Sequence, residues 1–409
     1  MNLVTGNILW TGINKIPNKY SYLSDDIDCE VLIVGGGITG AICAYYLTMA
    51  GIDTVIVDKN IIGYGSTSAS TSILQYEIDT DLIQLKGILG LEKAVECFKL
   101  CEKAVYDIEE IVNNLGNECG FSLRDCFYYT DSNSDVTLLS KEYEIRKRKD
   151  FNVEFIDEKK GKNMFSFPIK AGIYSRSGAG EIDPYSFTHQ LIDSSINNGL
   201  RVFENTEVVD IKQASNSVEI MTRNKFKVNA KKVVFATGFE TKEMIENRTA
   251  ILTRTFTLAT KPVENFEGWH NRAIIRNTSD PYTYLRTTSD DRIIIGGEDL
   301  DLGGKYSKIS NLTNSDTLSI DKFQILNNRL LKLFPKINNM EIEYRFSGLF
   351  GESQDGLPYV GEYEKYPNCY FCLGYGSNGI LYAVIGAQLI RDLYFGNYSP
   401  ILDLFKIDR

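Results

Sequence analysis

Histidine is nearly missing from this chain: its 409 residues include only His189 and His270. A histidine-based metal site or a Ser-His-Asp triad is therefore set aside. His189 lies two residues past Phe187, off the expected buried face of its helix, and is expected at the surface. His270, beside Trp269, has no evident role. An excess of bases is missing too. Forty-four Lys and Arg stand against 54 Asp and Glu, a net charge of −10, which disfavours nucleic acid and anionic membrane surfaces as partners. The N-terminal "MNLVTGNILWTGINK" lacks the basic start, apolar core and cleavage site of a signal peptide, so a cytoplasmic protein is expected. There is no internal repeat, no low-complexity tract and no linker rich in Pro or Gly. The eight cysteines form no pattern. Cys97 and Cys101 sit on an amphipathic helix, with Cys101 on its apolar face. Cys369-x-x-Cys372 lies in a strand-like run, which argues against a redox dithiol or a metal site.

What remains is ordinary in amount, 43% apolar and 24% charged, and long enough for two or three domains. One uncharged run stands out, "VLIVGGGITGAICAYYLTMAGI", Val31 to Ile52, 22 residues long. That length would span a bilayer, and Gly36-x-x-x-Gly40 matches a membrane helix-packing motif. Three successive glycines would each cost a continuous helix about 1 kcal/mol relative to Ala. They suit a tight turn between a buried strand ending at Val34 and a helix from Ile38 to Ala50. A second strand, "TVIVDK", ends at Asp58, 18 residues past Gly40. The unit is thus βαβ with G-x-G-x-x-G at Gly35, Gly37 and Gly40. Gly35 allows the turn, Gly37 admits a pyrophosphate, and Gly40 lets helix and strand pack closely. Asp58 can accept hydrogen bonds from a ribose, and its charge argues against a 2′-phosphate.

After this unit comes the long amphipathic helix, then the charged stretch "SKEYEIRKRKDFNVEFIDEKKGKN". Its acids alternate with its bases, which predicts a solvated helix and loop. Asp183 and Pro184 mark a helix start. Strand-like runs follow, including "KKVVFATG", and residues 251–344 alternate β-rich runs with polar turns. Apolar sequence returns at "CYFCLGYG", and a glycine turn opens a last helix. The order predicts a nucleotide-binding domain assembled from distant segments with a second domain inserted into it.

Five stretches, in this order, carry a resemblance: "DCEVLIVGGGITGA" with "VIVDK", "GYGSTSASTS", "GEIDPYSF", "KKVVFATG", and "SQDGLPYVGE" with "LGYGSNGI". The chain resembles the FAD-dependent oxidoreductases of the D-amino acid oxidase, glycine oxidase, sarcosine oxidase and γ-glutamylputrescine oxidase group. The resemblance implies an α/β fold: a discontinuous Rossmann-like FAD-binding domain (1–90, 150–250 and 345–409) with an inserted α+β substrate domain (91–149 and 251–344) on a mainly antiparallel sheet. It implies that Gly35, Gly37, Gly40, Asp58 and Lys59 hold the adenosine end of FAD, with Val208 beside them. Ser66, Thr67, Thr71 and Ser72 would pass along the pyrophosphate and ribityl chain. Ala236, Thr237 and Gly238 would turn under the nucleotide. Gly348, Asp355, Gly374, Gly376, Ser377, Asn378, Gly379 and Ile380 would border the flavin, where the start of the last helix favours negative charge.

Enzymes of this group pass a hydride from the carbon beside an amine nitrogen to FAD. The expected partner is thus a small amine or amino acid; the oligomeric state is open. Some relatives place a lysine near flavin N5 to promote reaction with oxygen, and the matching strand "RIIIGGED" offers Ile293, Ile294 and Ile295. Oxidase and dehydrogenase therefore both stay open, as do a hydroxy-acid dehydrogenase and an electron-transfer flavoprotein subunit. Relatives that act on amino acids grip the carboxylate with an arginine in a G-x-R triplet, here Gly348-Leu349-Phe350, or with bases at positions matching Gln75 and Leu381. All are uncharged, while Glu77, Glu298 and Glu352 are expected to border the pocket. An amine without a carboxylate anchor is the expected substrate, with Gln75, Phe350, Tyr284 and Arg286 around it. The alternative is that Arg286 or Arg345 replaces the lost arginine.

Some relatives bind flavin covalently through a cysteine before the D-G-x-P motif or a histidine in the serine-rich loop. Neither residue is present, so acid denaturation is expected to leave the yellow colour in the supernatant. Colour retained by the precipitated chain would overturn this.

Overall fold

Five strands pair in parallel, Cys369–Leu373, Lys227–Phe235, Ile27–Val34, Thr54–Val57 and Arg201–Phe203, and the apolar runs Thr54–Val57 and Cys369–Leu373 are buried along their whole length. In the computed structural model, which describes residues 3–245, 251–302, 313–374 and 376–409, they form the heart of an eight-stranded sheet. An antiparallel strand, Tyr359–Glu362, closes one edge, and the hairpin of Val208–Gln213 and Val218–Thr222 extends from Lys227–Phe235. The helices Ile38–Met49, Leu91–Leu115, Pro184–Asn197 and Gly379–Tyr394 bury their apolar residues against one another in a common core. The uncharged run thus resolves into strand, turn and helix. Among the described residues, no helix is long and apolar enough to cross a membrane.

Among the described residues the second sheet has ten strands and is antiparallel except where Ser122–Thr130 meets Ile274–Asn277. Its membership differs from the ranges read from sequence. Val4–Asn7, Ile73–Gln75, Val153–Asp157, Ala171–Glu181 and most of Ile342–Glu352 fall in ranges expected to build the FAD-binding domain, yet they pair here. The physical reason is that the chain crosses between sheets repeatedly. Strand-like sequence does not reveal which sheet supplies the partner.

The charged stretch also differs from expectation. It forms the helix Val136–Arg148, and two of its charges, Glu142 and Arg146, are fully buried. Arg146 donates to Glu142 at 2.8 Å and to the equally buried Glu77. Both oxygens of Glu142 accept the first backbone N–H groups of the helix Leu82–Leu89, from Leu82 and Ile83 at 2.9 Å each. One ion cluster therefore ties this helix to the segment leaving the strand Ile73–Gln75.

His189 is likewise buried rather than exposed. Its helix is covered on more than one side, and the imidazole sits edge-on to Tyr185 under Gly63. Burial lowers its pKa to about 4, so it is neutral.

Removing one partner of a buried ion cluster leaves uncompensated charge. Arg146→Met is expected to destabilise the protein by about 3–5 kcal/mol in urea unfolding. A loss below about 1 kcal/mol, the range of exposed pairs, would show that the cluster is solvated.

Candidate functional site

A cavity of about 1830 Å³ runs between the two sheets, with the glycine turn at one end. Gly35 has φ +109, and a Cβ there would meet the Ala236 carbonyl oxygen at 2.6 Å. A Cβ on Gly40 would strike the Gly35 carbonyl oxygen, so its role is close packing, and it does not line the cavity. Gly37 caps the helix Ile38–Met49 without a side-chain partner. Asp58 faces the cavity but also organises its rim: one oxygen accepts the Gly36 N–H and the other the Asn60 N–H, both at 2.7 Å. Burial raises its pKa, and those two N–H groups oppose the rise. Lys59, beside it, pairs with Glu240, and Val208 lines the same end.

The serine-rich loop forms the floor. Ser66, Thr67, Thr71 and Ser72 all line the cavity. Thr67 Oγ1 accepts the Ile38 N–H at 2.9 Å and so clamps the loop to the helix start. Ser72 Oγ is buried with no hydrogen-bond partner. Ala236, Thr237 and Gly238 line the opposite wall, as do Gly348, Gly374, Gly376, Ser377, Asn378, Gly379 and Ile380. Tyr375, within that glycine turn, lies outside the described residues. Asn378 Nδ2 donates to the carbonyls of Gln75 and Glu77 at 3.0 and 3.1 Å, which fixes the segment leaving Ile73–Gln75.

At the far end Gln75, Tyr284 and Phe350 line the cavity, and Tyr284 shares a hydrogen bond with Thr255 at 3.1 Å. Burial pushes the Tyr284 phenol up to about 12.

Several residues considered for the pocket lie elsewhere. Arg286, on the same face of the strand Thr283–Thr287 as Tyr284, lies under the serine-rich loop and does not line the cavity. Its guanidinium donates to the carbonyls of Thr71, Thr287 and Ile182, and burial lowers its pKa to about 10. It positions the loop. Asp355 also lies off the cavity, held by Arg409 and the Leu357 N–H. Leu381 is core, and Arg345 is exposed on the strand Ile342–Glu352. Of the three glutamates, Glu77 is held by Arg146 and Glu298 by Lys322 and Arg329, while Glu352 reaches a side cavity.

Sequence reading missed Arg276, Asp79, Tyr282 and Asp299. Arg276 lies within the strand Ile274–Asn277, and a charge in a short buried strand was the available signal. It is 7% exposed, lies 4.1 Å from the Tyr128 ring, and is ringed by Glu77, Asp79 and Asp81 at 3.6, 3.7 and 3.4 Å. Burial and nearby carboxylates, Asp79 among them, raise Asp299 to about 6 and Glu352 to about 7. Among the described residues Lys59 and Arg276 are the Lys and Arg that line the main cavity.

A family model described as FAD dependent oxidoreductase matches residues 30–393. The chain belongs to this family. The γ-glutamylputrescine oxidoreductase of Escherichia coli is 23% identical over 391 residues, covering 93% of this chain and 87% of the relative. Glycine oxidase of Bacillus subtilis is 24% identical over 407 residues, covering 93% and 97%. The crystal structure of glycine oxidase from Geobacillus kaustophilus has the same fold, with a TM-score of 0.76 and 19% identity over 93% of this chain and 99% of that one. The family's cofactor, FAD, fits the cavity. The uncapped helix start and the close glycine turn suit a pyrophosphate, and the orphaned Ser72 Oγ is a donor waiting for an acceptor.

Asp58→Ala is expected to release FAD on gel filtration. Because Asp58 also satisfies two backbone N–H groups, it should lower the urea stability of the apo-protein by about 1–3 kcal/mol. Full FAD occupancy in the variant would place Asp58 away from the ribose.

Proposed function

We propose that this FAD-dependent oxidoreductase oxidises an amine at its C–N bond and that the substrate lacks an arginine-held α-carboxylate. The observation that carries the reading is the charge of the wall facing the flavin end. Arg276 is the arginine there, and it already faces three carboxylates. The names of relatives support it in part, since one is a γ-glutamylputrescine oxidoreductase.

In this reading Gly35, Gly37 and the start of the helix Ile38–Met49 hold the pyrophosphate. Asp58 takes the adenosine ribose, with Val208 and Lys59 flanking it. Ser66, Thr67, Thr71 and Ser72 follow the ribityl chain, supported from below by Arg286. Ala236–Gly238 back the nucleotide. Gly348, Gly374 and the segment Gly376–Ile380 border the flavin, and the N-terminus of the helix Gly379–Tyr394 favours negative charge there. Bound there, FAD would supply an acceptor for the hydride of the carbon beside the nitrogen; the nitrogen would lose a proton, and water would hydrolyse the resulting imine. Tyr284, Phe350 and Gln75 shape the space for the reacting carbon and exclude water from it. The carboxylates beyond them attract the ammonium form of an amine.

A second reading has one observation in its favour. Arg276 Nε is buried without a hydrogen-bond partner, so a carboxylate would find a donor there. Anaerobic flavin reduction decides between the two. Primary, secondary and polyamines are expected to reduce the flavin with second-order rate constants at least about tenfold above those of glycine, sarcosine and D-amino acids, a difference worth about 1.4 kcal/mol. If an amino acid exceeds every amine, the reading is wrong, and Arg276→Ala identifies the anchor.

A further inference from the structure

Beyond the main cavity lies a side cavity of about 270 Å³. The two share Asp79, Arg276, Tyr282, Gly376 and Ser377, so the side cavity opens off the flavin end rather than elsewhere on the surface. Its own wall adds Glu352 and a polar rim that includes Gln84, Asn277 and Thr278.

The charges here do not balance. Glu77 is held by Arg146, which also serves Glu142. Arg276 lies within ion-pair reach of Glu77, Asp81 and Asp79. Five carboxylates including Glu352 thus face two guanidiniums. Asp79 Oδ2 is a buried oxygen without a hydrogen-bond partner. Arg276, more than nine-tenths buried and lining both cavities, divides its charge among Glu77, Asp79 and Asp81. Burial raises Glu352 to about 7, and Asp79, Asp299 and Asp301 add repulsion. A cation placed among these groups removes that repulsion; an anion adds to it. The amide and hydroxyl groups of the rim, Gln84, Asn277 and Thr278, suit an organic ammonium.

We infer that the side cavity is a subsite for a second cationic group on the substrate, held by Asp79 and Glu352, so that the enzyme prefers diamines to monoamines. The inference rests on the amine reading above and deepens it. The reacting nitrogen lies at the flavin end by Tyr284, and the distal ammonium passes Tyr282 into the side cavity. Tyr282 supplies an aromatic wall for the methylene chain between the two, and the polar rim accepts the remaining ammonium protons. The same arrangement selects against substrates that end in a carboxylate, because such a group would meet Asp79 and Glu352.

The test uses the FAD-loaded protein under anaerobic conditions. Linear α,ω-diamines of three to six carbons, the monoamines of the same lengths and the matching ω-amino acids are titrated. Binding is read from the flavin absorbance shift and chemistry from flavin bleaching. The best diamine is expected to bind at least about tenfold more tightly than its monoamine, and the ω-amino acid more weakly than either. That factor is typical of one partly buried ion pair, about 1.4 kcal/mol. Asp79→Asn and Glu352→Gln should each pull the diamine-to-monoamine ratio toward one. Equal binding of diamine and monoamine by the unaltered protein overturns the subsite, whatever the variants do. So does a ratio that both variants leave unchanged. Diamine preference without bleaching by any amine keeps the subsite and overturns the oxidation reading. Bleaching by amines without preference does the reverse.

Discussion

Arg146 is the charge on which the rest of the site depends. It is fully buried with Glu77 and Glu142 as its carboxylates, and its removal would leave two buried carboxylates short of their ion-pair partner. Glu142 in turn caps the helix Leu82–Leu89, and Asn378 grips the carbonyls of Gln75 and Glu77 from the other side. The short segment from Gln75 to Asp81 is therefore clamped at both ends. That segment carries Asp79 into the wall where the two cavities meet. The rigidity of the substrate end comes from charge buried well behind it.

A second support works in the same way with an opposite local sign. Arg286 uses its donors on backbone carbonyls of Thr71, Thr287 and Ile182 and lies over the Trp10 ring. The Trp10 indole N–H donates to the Ser70 carbonyl at 2.7 Å. Two large side chains thus hold the serine-rich loop from beneath, while Thr67 clamps it to the helix start from above. The loop's hydroxyls face the cavity because its backbone is already satisfied on the far side.

The nucleotide end was legible in the sequence because it is built from local constraint. Gly35, Gly37, Gly40 and Asp58 lie within one βαβ unit, where spacing alone fixes who meets whom. The substrate end was not legible, for the opposite reason. Arg146 and Glu77 are 69 positions apart, and Arg276 and Asp81 are 195. Bases interleaved with acids look solvated until the fold shows that two of them are buried. Arg286, two residues past Tyr284 on the strand Thr283–Thr287, shares its face. What one strand cannot show is that a loop lies between its guanidinium and the cavity. His189 was misplaced because a helix covered on more than one side has no single polar face for periodicity to find.

The parallel pairing of Lys227–Phe235 has a consequence for how the chain comes together. This strand is flanked by Ile27–Val34 from near one end of the chain and by Cys369–Leu373 from near the other. During synthesis the glycine turn emerges well before Cys369–Leu373, the last of the parallel strands in chain order, so the central sheet is completed only after the whole intervening segment has been made. Until then Lys227–Phe235 presents an open edge, and the apolar helix Ile38–Met49 lacks the helix Gly379–Tyr394 that packs against it. The nascent protein must carry an unfinished nucleotide cradle until that last parallel strand emerges, and it can close around a cofactor only as a long-range event.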